Sequence, residues 1–184
     1  MRWDDLFRDL EGQLEAAEVA EVAAEVADRT RRESARLRLV DRLRPAVGHE
    51  VRLQVRGGGQ VAGRLDQVGA QWVLVAETAG RQALVPLTAV LAVAGVGVLS
   101  SSPDVEERVF DRLGLGSALR AIARDRAPVT LGLVDGSSLT GTVDRVGADF
   151  LELAEHGAGE PRRRGEVSGV RVVPFEALAS LRSS

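Results

Sequence analysis

The chain has 184 residues, 45% hydrophobic and 28% charged, with 24 basic residues against 27 acidic ones and a net charge of −3. All the basic residues are arginine and cysteine is absent, so disulfides and thiolate metal sites are excluded. No apolar run is long enough to span a bilayer, and the N-terminus lacks a signal-peptide core; together these predict a cytoplasmic protein with no membrane partner.

Residues 3–44 read as one long helix, or two helices with a weak join, rich in Ala, Leu, Glu and Arg and ended by Pro45. Trp3, Leu6, Leu10, Leu14 and Ala17 share one stripe, and Ala20, Ala24 and Ala27 continue it as a small-residue seam. Residues 1–28 carry two Arg against nine acids, and residues 29–47 seven Arg against two. That order matches the helix dipole and equally suits an antiparallel helical partner.

From Gly48 the pattern changes to alternation. Val51, Leu53 and Val55 predict a half-buried strand, Gly57-Gly58 a tight turn, and Val61, Gly63 and Leu65 a second strand. A third strand covers Trp72–Ala76, a fourth closes at Pro86, and a fifth spans Leu91–Ala94. Ser102-Pro103-Asp104 then starts a helix with the stripe Val105, Val109 and Leu113, and Ser117 caps another with Leu119, Ile122 and Ala123 inward.

The β pattern then recurs. Val51–Glu77 aligns without a gap on Val129–Glu155 at an offset of 78 residues, with ten of the 27 positions identical. Val85-Pro86-Leu87 matches Val173-Pro174-Phe175 at an offset of 88 residues. The ten extra residues form a loop with Gly157, Gly159, Pro161, Arg162, Arg163, Arg164 and Gly165. A long period present twice marks a duplicated small domain. Gly63 and Gly141 sit within strands in both copies, which predicts a sharp bend or a close backbone approach. Trp72 and Phe150 are equivalent and are assigned to the core.

The stretch V-T-L-G-L-V-D-G-S-S-L-T-G-T-V-D-R-V-G-A-D-F-L-E-L, residues 129–153, resembles the first motif of the Sm-like superfamily, which includes the LSm proteins and the bacterial RNA chaperone Hfq. Asp135-Gly136, Leu139, Gly141, Val143 and Asp144 carry the likeness, and Val51–Val75 repeats it with Gly57 in place of the aspartate. The family's second motif, an Arg-Gly or Lys-His pair that contacts RNA, has no counterpart in L-V-P-L-T-A-V-L or V-V-P-F-E-A-L-A. The resemblance implies an α+β chain in which a long N-terminal helix precedes two tandem five-stranded Sm-like (SH3-like) β-barrels joined by a helical linker. The corresponding segments are residues 1–47, 48–97, 98–125 and 126–184. Five short strands make a marginal core alone, so the copies are expected to pack together through their outer strands.

No catalytic, cofactor or metal constellation is predicted: with two histidines and neither cysteine nor tyrosine, few groups titrate near neutrality. The chain is expected to be a non-catalytic binding protein. RNA or a ribonucleoprotein is the leading ligand, on the resemblance and the arginine loop, although neither repeat carries a concentrated basic face. Candidate ligand residues are Asp66, Asp144, Asp149, Arg162, Arg163 and Arg164. The alternative is a protein-interaction scaffold using barrel edge strands and the N-terminal helix, with a partner or self-association through residues 1–44.

Overall fold

The computed structural model describes Gln13 and residues 21–100, 113–157 and 169–183. The chain divides into two compact units, Met1–Arg38 and Leu39–Ser184. In the first, residues 21–34 form helix α1, and every one of them is exposed, including Val22 and Val26. The predicted stripe Trp3, Leu6, Leu10, Leu14 and Ala17 lies outside the described residues.

The expected long helix through residue 44 is not formed. Arg36 and Leu37 donate back to the Glu33 and Ser34 carbonyls in tight three-residue turns, and α1 stops. A separate short helix, α2 (Leu39–Leu43), follows. Burial explains the split: Val40, Leu43 and Ala46 belong to a hydrophobic core, whereas α1 is exposed on all sides.

The second unit is built on ten strands: β1 (Glu50–Val55), β2 (Gln60–Val68), β3 (Trp72–Ala76), β4 (Gln82–Pro86), β5 (Val90–Ala94), β6 (Pro128–Leu133), β7 (Ser138–Val146), β8 (Phe150–Glu155), β9 (Gly169–Pro174) and β10 (Leu178–Ser183). Helix α3 (Leu115–Asp125) precedes β6. Gly114 rather than Ser117 caps α3, its carbonyl accepting from the Ser117 and Ala118 amides.

The strands form one antiparallel sheet in the order β5-β1-β2-β3-β4-β10-β6-β7-β8-β9. This corrects the expectation of two closed five-stranded SH3-like barrels: the sheet is open, with β5 and β9 at its edges. In neither half does the fourth strand return to the fifth. Instead β4 pairs with β10, in the register Leu181↔Leu84 and Arg182↔Ala83. Each half contributes the same internal order, fifth, first, second, third and fourth strand, so the duplication is retained while closure is replaced by pairing between the halves.

Local features repeat as the sequence predicts. Val51, Leu53 and Val55 point inward from β1, and Gly57, Gly58 and Gly136 take positive φ at the turns. A Cβ on Gly63 would lie 2.1 Å from the Ala76 carbonyl oxygen, and one on Gly141 would lie 2.1 Å from that of Ala154. The backbones therefore approach too closely there for any side chain. Just beyond each glycine the register slips, between Leu65 and Gln67 and between Val143 and Arg145. Asp66 and Asp144 are the extra residues of these bulges, a feature that locally kinks a strand.

Two hydrophobic clusters lie within the unit and cross the join between halves. One is formed mainly by β1 to β4 and α2, yet includes Ala179 of β10. The other is formed mainly by α3 and β6 to β10, yet includes Trp72 of β3 and Leu84 of β4. Trp72 is thus buried as expected, but in the other repeat's core, while Phe150 is only half-buried.

Candidate functional site

The predicted ligand residues do not form one site. Asp66 pairs with Arg64 at 2.9 Å within its own strand. Asp144 occupies the equivalent bulge and is half-buried. Asp149 has an exposed side chain, and its carbonyl accepts the Phe175 amide at 2.7 Å, a structural bond repeated by Gln71 and Leu87 at 2.9 Å. Arg162, Arg163 and Arg164 lie outside the described residues. No site among the described residues therefore carries the RNA expectation, whose arginine loop lies outside them.

The turn aspartate has a clear local role. Asp135 accepts from the Ser137 hydroxyl at 2.6 Å and from its amide at 2.9 Å. The Ser137 hydroxyl first, and then its amide, hold the Asp135 carboxyl below its ordinary value. His156 is buried; its Nδ1 lies 3.1 Å from the Gly157 carbonyl, which can only accept, so in the neutral ring Nε2 accepts from the Thr142 hydroxyl at 2.9 Å. Among the described residues no group of three or more His, Asp or Glu could hold a metal ion. No described helix is long and apolar enough to cross a membrane.

An apolar cavity of about 300 Å³ opens under the join, lined by Trp72, Leu74, Leu84, Ile122, Val129 and Leu181. The Trp72 indole N–H is spent on the Leu113 carbonyl at 2.9 Å, and the Gln71 side-chain oxygen accepts the Leu115 amide at 3.1 Å. Both bonds tie the start of α3 to the first half.

What distinguishes the surface is the two sheet edges. β5 reads Val-Leu-Ala-Val-Ala, with no charged residue, and Leu91 is 63% exposed. β9 exposes Val170 and Val172. Its one charge, Arg171, donates to Glu155 at 2.9 Å, and that carboxylate raises the guanidinium further above its ordinary value. Natural sheets usually blunt free edges with charges, prolines or covering loops. β5 carries neither charge nor proline, and β9 carries a proline only at its last residue. Alternation alone does not reveal these residues, because it marks strands without marking which of them lack a neighbour. The available signal is the uncharged run Val90–Ala94 beside its repeat equivalent Leu178–Arg182, which ends in arginine.

Compared with protein-family models and with curated proteins, the chain matches none.

Proposed function

We propose that this chain is a non-catalytic protein-interaction module that engages partners by strand pairing at the open edges of its sheet. The observation that carries this reading is β5: an uncharged edge strand, bonded on one side to β1, with Leu91 mostly in solvent. Such an edge offers a row of backbone donors and acceptors, and an extended segment adds to it as a further strand. Affinity comes from main-chain hydrogen bonds and selectivity from alternate side chains. The segment after β5 is fixed in place: Arg42 donates to the carbonyls of Gly97, Val98 and Leu99 at 2.6 to 2.9 Å.

The test is a panel of dye-labelled extended peptides with alternating apolar residues, read by fluorescence anisotropy against the full chain. Saturable binding that weakens at least tenfold in Leu91→Lys is expected. A short RNA runs in parallel, because phosphate-driven binding falls steeply with salt. No peptide binding at all removes the edge reading, and salt-sensitive RNA retention in its place would make nucleic acid the ligand.

A further inference from the structure

We propose that the cavity under the join of the two halves binds a small apolar amine, its hydrocarbon body against Trp72, Leu84 and Ile122 and its ammonium group at Asp125. The site is separate from the sheet edges and does not depend on the edge reading.

The cavity follows one face of α3. Ser117, Ala118, Ala121, Ile122 and Asp125 line it, and steps of three and four residues put them on a single helical stripe. At 1.5 Å of rise per residue, that stripe runs about 12 Å. The space has a cause in the sequence: Ala118 and Ala121 stand in the middle of the stripe, and a methyl group does not fill the gap to the strands beneath. Those strands come from both halves, Leu74 and Leu84 from the first and Val129 and Leu181 from the second. The wall depends on the join. Leu84 is 3% exposed, whereas Val172, its equivalent at the 88-residue offset, is 62% exposed on β9.

Size and rigidity suit a small ligand. The volume of about 300 Å³ is about twice the roughly 150 Å³ that holds a benzene ring in an engineered apolar cavity. The bonds from Trp72 to Leu113 and from Leu115 to Gln71 already fix the start of α3, so a ligand does not have to order it. Few polar groups are left to hold water. The Trp72 N–H is spent, and the Ser183 hydroxyl accepts the Gln82 amide at 2.9 Å and donates to its carbonyl at 3.5 Å.

Charge selects the ligand. Among the described residues, Asp125 is the one charged group lining the cavity; its sequence neighbours Arg124 and Arg126 do not line it. Asp125 has no ion pair with another described residue. It is also the last residue of α3, where the helix dipole adds partial negative charge. An ammonium group is therefore attracted to that end and a carboxylate repelled, while the apolar wall takes hydrocarbon.

The probes are n-octylamine, n-octanol and n-octanoate at neutral pH, titrated into the full-length chain. Trp72 reports occupancy by its fluorescence in a Trp3→Phe background, since the chain has only these two tryptophans. Saturable binding is expected in the order amine, alcohol, carboxylate, with the amine at least tenfold tighter than the carboxylate. The melting temperature should rise with amine concentration. Asp125→Asn should bring the amine down to the affinity of the alcohol and leave the alcohol unchanged. Ala121→Phe, which fills the cavity from an exposed position, should weaken all three at least tenfold, with circular dichroism confirming that both variants fold. No saturable binding of any probe, or binding untouched by Ala121→Phe, would overturn the site. Carboxylate binding as tight as amine binding, or an amine preference that survives Asp125→Asn, would overturn the assignment of a cation.

Discussion

Replacing Gly141 by alanine tests the close approach of backbones that recurs in each half. Gly141 lies in β7 opposite Glu155 of β8, and a Cβ there would sit 2.1 Å from the Ala154 oxygen and 2.9 Å from its carbonyl carbon. Ordinary carbon contacts lie near 3.5 Å, so the strands must part by at least about 1 Å. The obstacle is backbone in the middle of a sheet and has no rotamer to escape into. Overpacking of this kind costs about 1–3 kcal/mol, and losing one ladder bond adds about 0.5–1.5 kcal/mol. We therefore expect Gly141→Ala to destabilise the fold by about 2–4 kcal/mol. Gly169→Ala is the control: it too lies in a strand, but its added methyl would meet nothing within 4 Å, so its effect should stay within about 0.5 kcal/mol. Urea melts followed by circular dichroism give both values from the shift in midpoint at constant slope. If Gly141→Ala falls within about 0.5 kcal/mol of the control, the close approach is refuted.

Three further outcomes follow from individual bonds. Trp72→Phe keeps a ring in the core but strands the Leu113 carbonyl; a loss of about 1–2 kcal/mol in urea melts is expected, and no loss would show that the bond does not tie α3 to the first half. Asp135→Ala should destabilise the chain at neutral pH. The folded carboxyl is held below 3.8, its ordinary value, so the contribution of Asp135 is full above that pH and is lost as pH falls through the folded value. A stability difference that persists unchanged into strong acid would contradict this. Thr142→Val leaves the buried His156 Nε2 without its donor and should cost about 1–3 kcal/mol. Adding His156→Phe should recover part of that loss, giving a coupling of at least about 0.5 kcal/mol, and simple additivity would rule the pair out as a unit.

Much of the β architecture was legible because its signals are local. Gly57-Gly58 and Asp135-Gly136 marked turns whose glycines do adopt positive φ, and Gly63 and Gly141 marked the points where backbones nearly touch. The pairing of outer strands followed from the cost of leaving backbone groups unpaired. Closure was not legible. Whether β4 meets β5 or β10 depends on two strands with nearly the same apolar pattern, Val-Leu-Ala-Val and Leu-Ala-Ser-Leu. Neither alternation nor propensity separates them; the choice is made by the cores on either side, which a local pattern does not contain. The long helix failed for a similar reason. Residues 21–34 and Leu39–Leu43 have comparable helical composition, but Val40 and Leu43 are buried while the earlier segment is not.

The candidate site was hidden for a deeper reason than the fold. A catalytic or metal site is built from side chains that advertise their chemistry. An edge is defined by the neighbour it lacks. Val172 and Leu84 occupy the same repeat position and are both aliphatic, yet one is in solvent and the other in the core. Only topology separates them. The duplication turns that difference into information, because the internal join shows what the same strand looks like when matched. It also explains why the halves are not two independent domains. Leu84 and Trp72 complete the second cluster, and Ala179 the first, so each half lends residues to the other's core. A module that stabilises itself by lending residues across one edge leaves the opposite edge with residues still to lend, and in this chain those are Leu91 and Val172.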